Sequence, residues 1–197
     1  MKKNLFLVCL FMFGTLASCQ CSSKKSADNA VVNTTETPVP LGDPFILLHD
    51  GVYYAYGTHS NKGIEFYTSD DLLTWKYGGL ALNKEDSWAD RWFWAPEIYF
   101  VNGKFYMYYS ADEHICVAVA DSPTGPFVQD KKEPMIADEK CIDNSLFIDD
   151  NGTPYLSFVR FNDGNNIWIA ELEKDLITIK KETMHPCLCL LYTSPSP

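Results

Sequence analysis

The sequence predicts an all-β fold of the β-propeller type, on three observations. A strand-turn-strand hairpin recurs at a period of about fifty residues. Each hairpin is followed by further short strands, and no long amphipathic helical pattern competes anywhere in the body of the chain. The repeated tyrosines that close the hairpins, Tyr54, Tyr106 and Tyr155, stand 52 and 49 residues apart.

The first hairpin runs from Asp43-Pro44-Phe45 to Val52-Tyr53-Tyr54 around Asp50-Gly51, the second from Ala95-Pro96-Glu97 to Lys104-Phe105-Tyr106 around Asn102-Gly103. The third runs from Asp143-Asn144-Ser145 to Tyr155 around Asn151-Gly152. These turn pairs supply the positive φ angles of tight hairpins, and the flanks are β-branched and aromatic. Outer strands are expected at Gly63–Thr68 and Trp75–Tyr77, at Ile115–Ala120 and Phe127-Val128, and at Ile167–Glu171 and Ile177–Lys180. Four strands per repeat make a propeller blade. A β-sandwich also has many short strands, but it would not repeat one hairpin at this period. Closing a ring takes at least ~4 blades, so residues 41–186 read as an incomplete propeller. Residues 187–197, Cys-Leu-Cys-Leu-Leu-Tyr-Thr-Ser-Pro-Ser-Pro, show neither strand alternation nor turn logic and are set apart as a suspect, non-native tail.

The start of the chain is a different kind of segment. Lys2 and Lys3 precede an apolar run from Leu5 to Leu16 that is shorter than the ~20 residues of a membrane span. Leu16-Ala17-Ser18-Cys19 resembles the bacterial lipobox, so residues 1–18 read as a lipoprotein signal peptide and Cys19 as the acylated residue, with a plain signal peptide as the alternative. Gln20 at the next position points by the same resemblance to the outer membrane of a Gram-negative cell. Residues 19–40 are polar, without apolar period, and read as a flexible tether.

With 16 basic and 26 acidic residues the net charge is −10, and −12 once Lys2 and Lys3 are removed. That balance disfavours nucleic acid, whose phosphates need a basic partner, and leaves a neutral ligand such as a carbohydrate. Cys116 and Cys141 are the cysteines of the domain body, readable as a disulfide or as two buried thiols. His49 and His59 read as surface loop residues and His114 as an edge residue, without metal-ligand spacing.

Asp43, Ala95 and Asp143 hold the same position in the repeat, just before the first strand of a blade. That strand lines the propeller axis, so its entry residues gather at the mouth of the ring. Gly42-Asp43-Pro44, Trp94-Ala95-Pro96-Glu97, Tyr108-Tyr109-Ser110, Ala118 to Phe127 with its Ser-Pro-Thr-Gly-Pro-Phe run, and Ile142-Asp143-Asn144-Ser145 together resemble glycoside hydrolase family 43 from about Leu41 to Lys181. The resemblance implies a five-bladed propeller, about three blades of it present, that removes arabinofuranosyl or xylosyl units from plant polysaccharides with inversion. The alternative is a sugar-binding propeller without catalysis.

Inversion uses one carboxylate to deprotonate water and one carboxyl group to protonate the leaving oxygen, ~6.5–9.5 Å apart. By the resemblance Asp43 is the general base, and Asp143 raises the pKa of a general acid that is a glutamate of a later blade. Glu171, Glu173 and Glu182 lack the context for that acid, so the chain is expected to lack it and to be inactive alone. Trp94 is read as a sugar-stacking wall, Phe93 and Trp92 as weaker substrate contacts, Glu97 as a residue that contacts a sugar hydroxyl or points into a blade, and Arg160 as one that binds a sugar or pairs with an aspartate. No cofactor is implied, although some relatives hold an axial calcium, which stays open for the full-length protein. Ser69-Asp70-Asp71 to Trp75 is read as a structural turn.

Overall fold

The computed structural model describes residues 38–162 and 164–188. The lipobox with Cys19, nearly all of the tether and residues 189–197 lie outside them. Eleven strands form three antiparallel sheets. The first is β1 (Gly42–His49), β2 (Val52–Thr58), β3 (Gly63–Ser69) and β4 (Lys76–Asn83) in that order. The second is β5 (Trp94–Val101), β6 (Lys104–Ala111) and β7 (His114–Ala120). The third is β8 (Cys141–Ile148), β9 (Pro154–Arg160), β10 (Asn166–Glu171) and β11 (His185–Leu188). The predicted hairpin turns are where they were expected, with Asp50 and Gly51 at φ +48° and +79° and Asn102 and Gly103 at +51° and +78°. Both central residues of these two turns are left-handed, which is the geometry that matches strand twist; in the third turn only Gly152 is, at φ +81°, and Asn151 is not.

The middle blade explains why its sequence lacks clean alternation. Along β6, Phe105, Met107 and Tyr109 pack into a core with Tyr56, Ile64, Leu82 and Phe127, while Tyr108 packs into a second core with Ile115, Leu156, Phe158 and Leu172. Successive side chains of a strand point to opposite faces, so a blade covered on both sides reads as a continuous apolar run. Two tyrosine hydroxyls inside these cores are paired: Tyr109 Oη bonds Ser87 Oγ at 2.7 Å and donates to Gln129 Oε1 at 3.0 Å, and Tyr108 Oη donates to the Leu176 carbonyl at 2.7 Å.

The outer strands depart from expectation in three places. The strand expected at Trp75–Tyr77 begins at Lys76 and runs on to Asn83. Phe127-Val128 is no strand: Val128 makes one bridge to Val119, while the Phe127 N–H donates to the Ala81 carbonyl of the first blade at 2.8 Å and its ring is buried between the two blades. Ile177–Lys180 likewise makes a single bridge, Ile179 to Leu172, because Asp175 accepts the N–H groups of Ile177 and Thr178 and turns the chain there. The fourth strand of the third sheet is β11 instead, so Cys187 and Leu188 belong to the blade and not to the tail. His49 is also corrected, from a loop residue to one half-buried between the rings of Phe100 and Phe105, at 4.7 and 4.9 Å.

Candidate active site

The first strand of every blade starts with the same irregularity. The register shifts between Gly42 and Phe45, between Trp94 and Glu97, and between Ile142 and Ser145. Inside each bulge one non-glycine residue is left-handed: Asp43 at φ +43°, Ala95 at +43° and Asp143 at +57°. Left-handed backbone is costly for a residue with a Cβ, least so for aspartate and asparagine. A β-bulge re-aims the side chain it carries, and strain of this kind concentrates at functional sites. The three positions aligned by sequence are therefore one structural device used three times.

The bulges are fastened to one another. The Ala95 N–H donates to Thr58 Oγ1 at 3.0 Å, and Thr58 Oγ1 donates to Asp43 Oδ2 at 2.8 Å. One blade further, the Asp143 N–H donates to Ser110 Oγ at 3.0 Å. Thr58 and Ser110 oppose Gly42 and Trp94 in register and follow Tyr54 and Tyr106 by four residues. Sequence reading missed Thr58, although that common offset in the repeat was the available signal.

Asp43 and Asp143 are both exposed. The Asp143 carboxyl is nonetheless held above the ordinary carboxylate range, first by partial desolvation and then by the negative charges of Asp43 and Glu97. Glu97 lies near enough for its charge to act on Asp143, and it is fixed there: Tyr99 Oη donates to Glu97 Oε2 and lies 3.2 Å from Ser145 Oγ of the third blade. Burial and this carboxylate push the Tyr99 phenol up to about 12, so it stays a donor.

Trp94 is half-buried and stacks on Trp92 with ring centroids 5.8 Å apart and an interplanar angle of 11°. The Arg91 guanidinium lies 4.5 Å from the Trp92 ring centroid and pairs with Asp112 at 2.8 Å. Phe93 is not brought to the site. It is 2% exposed in the core, stacked near Tyr109, because Trp92 at φ +56° and the start of β5 turn alternate residues to opposite sides. Arg160 is also withheld: Glu139 Oε2 accepts from its Nε and Nη2 at 2.9 and 2.6 Å, and its guanidinium lies 4.0 Å from the Trp168 ring centroid. Cys116 and Cys141 are free, buried thiols, pushed up by desolvation to about 12 and about 11. Among the described residues no group of three His, Cys, Asp or Glu side chains is arranged to hold a metal ion.

Hairpin-led sheets whose first strands open on bulges, two of them acidic and the third beginning at Trp94, define an acid-bearing β-propeller. The sequence matches Glycosyl hydrolases family 43 over residues 35–188, and the chain belongs to that family. Its described strands are about three blades of the family's five-bladed propeller. It is 51% identical to a solved endo-1,4-β-xylanase from Bacteroides thetaiotaomicron, with a TM-score of 0.72 over 76% of this chain and 53% of that one. An endo-arabinase from the same organism gives 34% identity and a TM-score of 0.64 over 72% of this chain and 54% of that one. Xylosidase/arabinosidase 43A of Humicola insolens is 37% identical over 68% of this chain and 50% of its own length. The chain thus spans about half the length of the curated relatives it matches.

Proposed function

We propose that the protein is a glycoside hydrolase that cleaves arabinofuranosyl or xylosyl linkages of plant polysaccharides by inversion. The observation that carries the reading is the pair of aspartates at equivalent bulges of the first and third blades, Asp143 being held above the ordinary range by partial desolvation and then by the charges of Asp43 and Glu97. Asp43 is the general base and draws the proton from water as it attacks the anomeric carbon. Asp143 is the negative neighbour that raises the pKa of the general acid. Trp94, backed by Trp92, is the wall on which the sugar ring stacks.

The acid itself is not among the described residues. Glu97 is bonded to Tyr99, Glu171 is paired with Lys180 at 3.1 Å, and Glu139 is taken up by Arg160. On this reading residues 1–197 alone hydrolyse negligibly and activity requires a chain that brings the acid to the axis. We also propose attachment to the outer membrane through a lipid on Cys19; Cys19→Ala should release the protein to the soluble fraction, and unchanged fractionation would refute it.

The test is hydrolysis of aryl arabinofuranoside and aryl xyloside by residues 1–197 and by the longer chain, with the first-formed anomer followed by proton NMR. The longer chain should release the inverted sugar. A retained anomer would overturn the mechanism, and sugar binding without turnover would favour a non-catalytic carbohydrate-binding propeller.

A further inference from the structure

Thr58 sits where the bulges of the first and second blades meet, and its hydrogen bonds have a forced direction. A backbone N–H can only donate, so the bond from Ala95 at 3.0 Å makes Thr58 Oγ1 an acceptor and commits its single proton elsewhere. That proton goes to Asp43 Oδ2, 2.8 Å away. Among the described residues Asp43 Oδ1 has no such donor, so the two oxygens of this carboxylate are not equivalent.

The repeat supplies its own controls. Ser110, at the matching place in the second blade, accepts the Asp143 N–H in the same way, but the bulge of its own blade carries Ala95, which has nothing to receive its proton. In the third blade the residue opposite Ile142 is Val159, which has no hydroxyl. Among the described residues, the hydroxyl that both ties the next blade and grips an acid occurs only where the bulge holds Asp43.

We infer that Thr58 is a positioning residue of the site: anchored by the Ala95 N–H of the neighbouring blade, its hydroxyl holds Asp43 Oδ2 and leaves Oδ1 to meet the attacking water. This rests on the assignment of Asp43 as the base. Its consequence is that the approach of the second blade to the first sets the orientation of the carboxylate. A charge-assisted bond of this type is stronger than a neutral one and demands the ionised acceptor, so the grip is tightest in the protonation state a base needs.

Asp143 reports on the placement of Asp43 without any need for turnover, because the charges felt at its carboxyl are those of Asp43 on β1 and Glu97 on β5. The experiment is a carbon-13 carboxylate NMR titration of the full chain, with the Asp143 signal assigned by its loss in Asp143→Asn. Asp43→Asn removes the charge and sets the scale of the downward shift of the Asp143 midpoint. Thr58→Val, which keeps the shape and removes the hydroxyl, should reproduce at least about half of that shift as Asp43 swings away. Thr58→Ser should leave the midpoint at its wild-type value, and Thr58→Val added to Asp43→Asn should give no further shift. Thr58→Ala provides the same reading with a smaller side chain should the valine crowd the bulge.

A midpoint unmoved by Thr58→Val and Thr58→Ala would overturn the positioning role. So would an equal shift in the Asp43→Asn background, which would mark Thr58 as a fastener between blades only. Failure to find hydrolysis in any form of the protein would count against the glycosidase reading and leave this result standing.

Discussion

Asp71 and Asp143 are both exposed aspartates at irregular points of strand-rich blades, and their surroundings drive them in opposite directions. In the turn after β3, Asp71 Oδ1 accepts the N–H groups of Leu73 and Thr74 at 2.8 and 2.7 Å and the Ser69 hydroxyl at 3.0 Å. These donors hold its carboxyl down at about 2. At the axial bulge Asp143 gives its own N–H to Ser110, receives no hydrogen bond at its carboxylate among the described residues, and faces two like charges. A carboxylate consumed by local donors builds a turn; one deprived of them and crowded by negative charge is left for chemistry.

The largest effect should come from the acid that shares the axial group with Asp143. In a form of the protein that hydrolyses an aryl glycoside, Asp43→Asn should lower kcat by ~10²–10⁴-fold with a much smaller change in KM, since it removes a proton acceptor and keeps the shape. Asp71→Asn, the same chemical change in the peripheral turn, should leave kcat unchanged. Equal losses from both would erase the distinction between the two regions.

The next effect is on stability, and here the two regions should differ in sign. Asp71 titrates in the fold at about 2, below its unfolded value of ~3.9. Its contribution is therefore fully present above the unfolded value and lost as pH falls through about 2. Asp143 titrates above its unfolded value, so stability is present below that unfolded value and lost as pH rises through the folded one. At pH 7 Asp71→Asn should lower the thermal midpoint and Asp143→Asn should raise it. On acidification the Asp143→Asn difference should close first and the Asp71→Asn difference last. Midpoints that move the same way at pH 7 would show that the contrast in carboxyl environment does not reach the energetics.

How much of this was legible in the sequence depended on whether the controlling contact was local. The equivalence of Asp43, Ala95 and Asp143 could be read because the period of the hairpins carries it, and the tight turns could be read because Asp50-Gly51 and Asn102-Gly103 determine their own backbone. The strand expected at Phe127-Val128 could not, since the Phe127 N–H is captured by Ala81 of another blade, 46 residues away in sequence. Phe93 was misplaced for a similar reason: which of three adjacent aromatics faces the axis is decided by Trp92 at φ +56°, a conformation that tryptophan does not advertise. For Arg160 the sequence left a sugar or an aspartate as partner, and the acid that reaches it is Glu139, brought beside it together with Trp168 by contacts that are not local. Thr58 was overlooked because a threonine at the end of a strand is ordinary until its neighbour across the blade boundary is known.

The smallest effect isolates the backbone of the bulge from the charge it carries. Ala95 occupies the same left-handed conformation as the two aspartates, at φ +43°, without a side chain that can repay it through a hydrogen bond or through catalysis. Left-handed backbone costs a residue with a Cβ roughly 1–2 kcal/mol, while glycine loses about 0.5–1 kcal/mol more conformational freedom on folding than alanine. The first quantity exceeds the second, so Ala95→Gly should stabilise the protein by up to about 1 kcal/mol, read as a rise in denaturant midpoint at constant slope. Ala118→Gly is the matched control: Ala118 is fully buried in regular strand β7, where the same substitution loses packing and gains unfolded-state freedom with no strain to relieve, and should destabilise. If Ala95→Gly costs as much as Ala118→Gly, the bulges are held without strain, and the left-handed aspartates reflect what side chain the position tolerates rather than what the fold sustains to aim an acid at the axis.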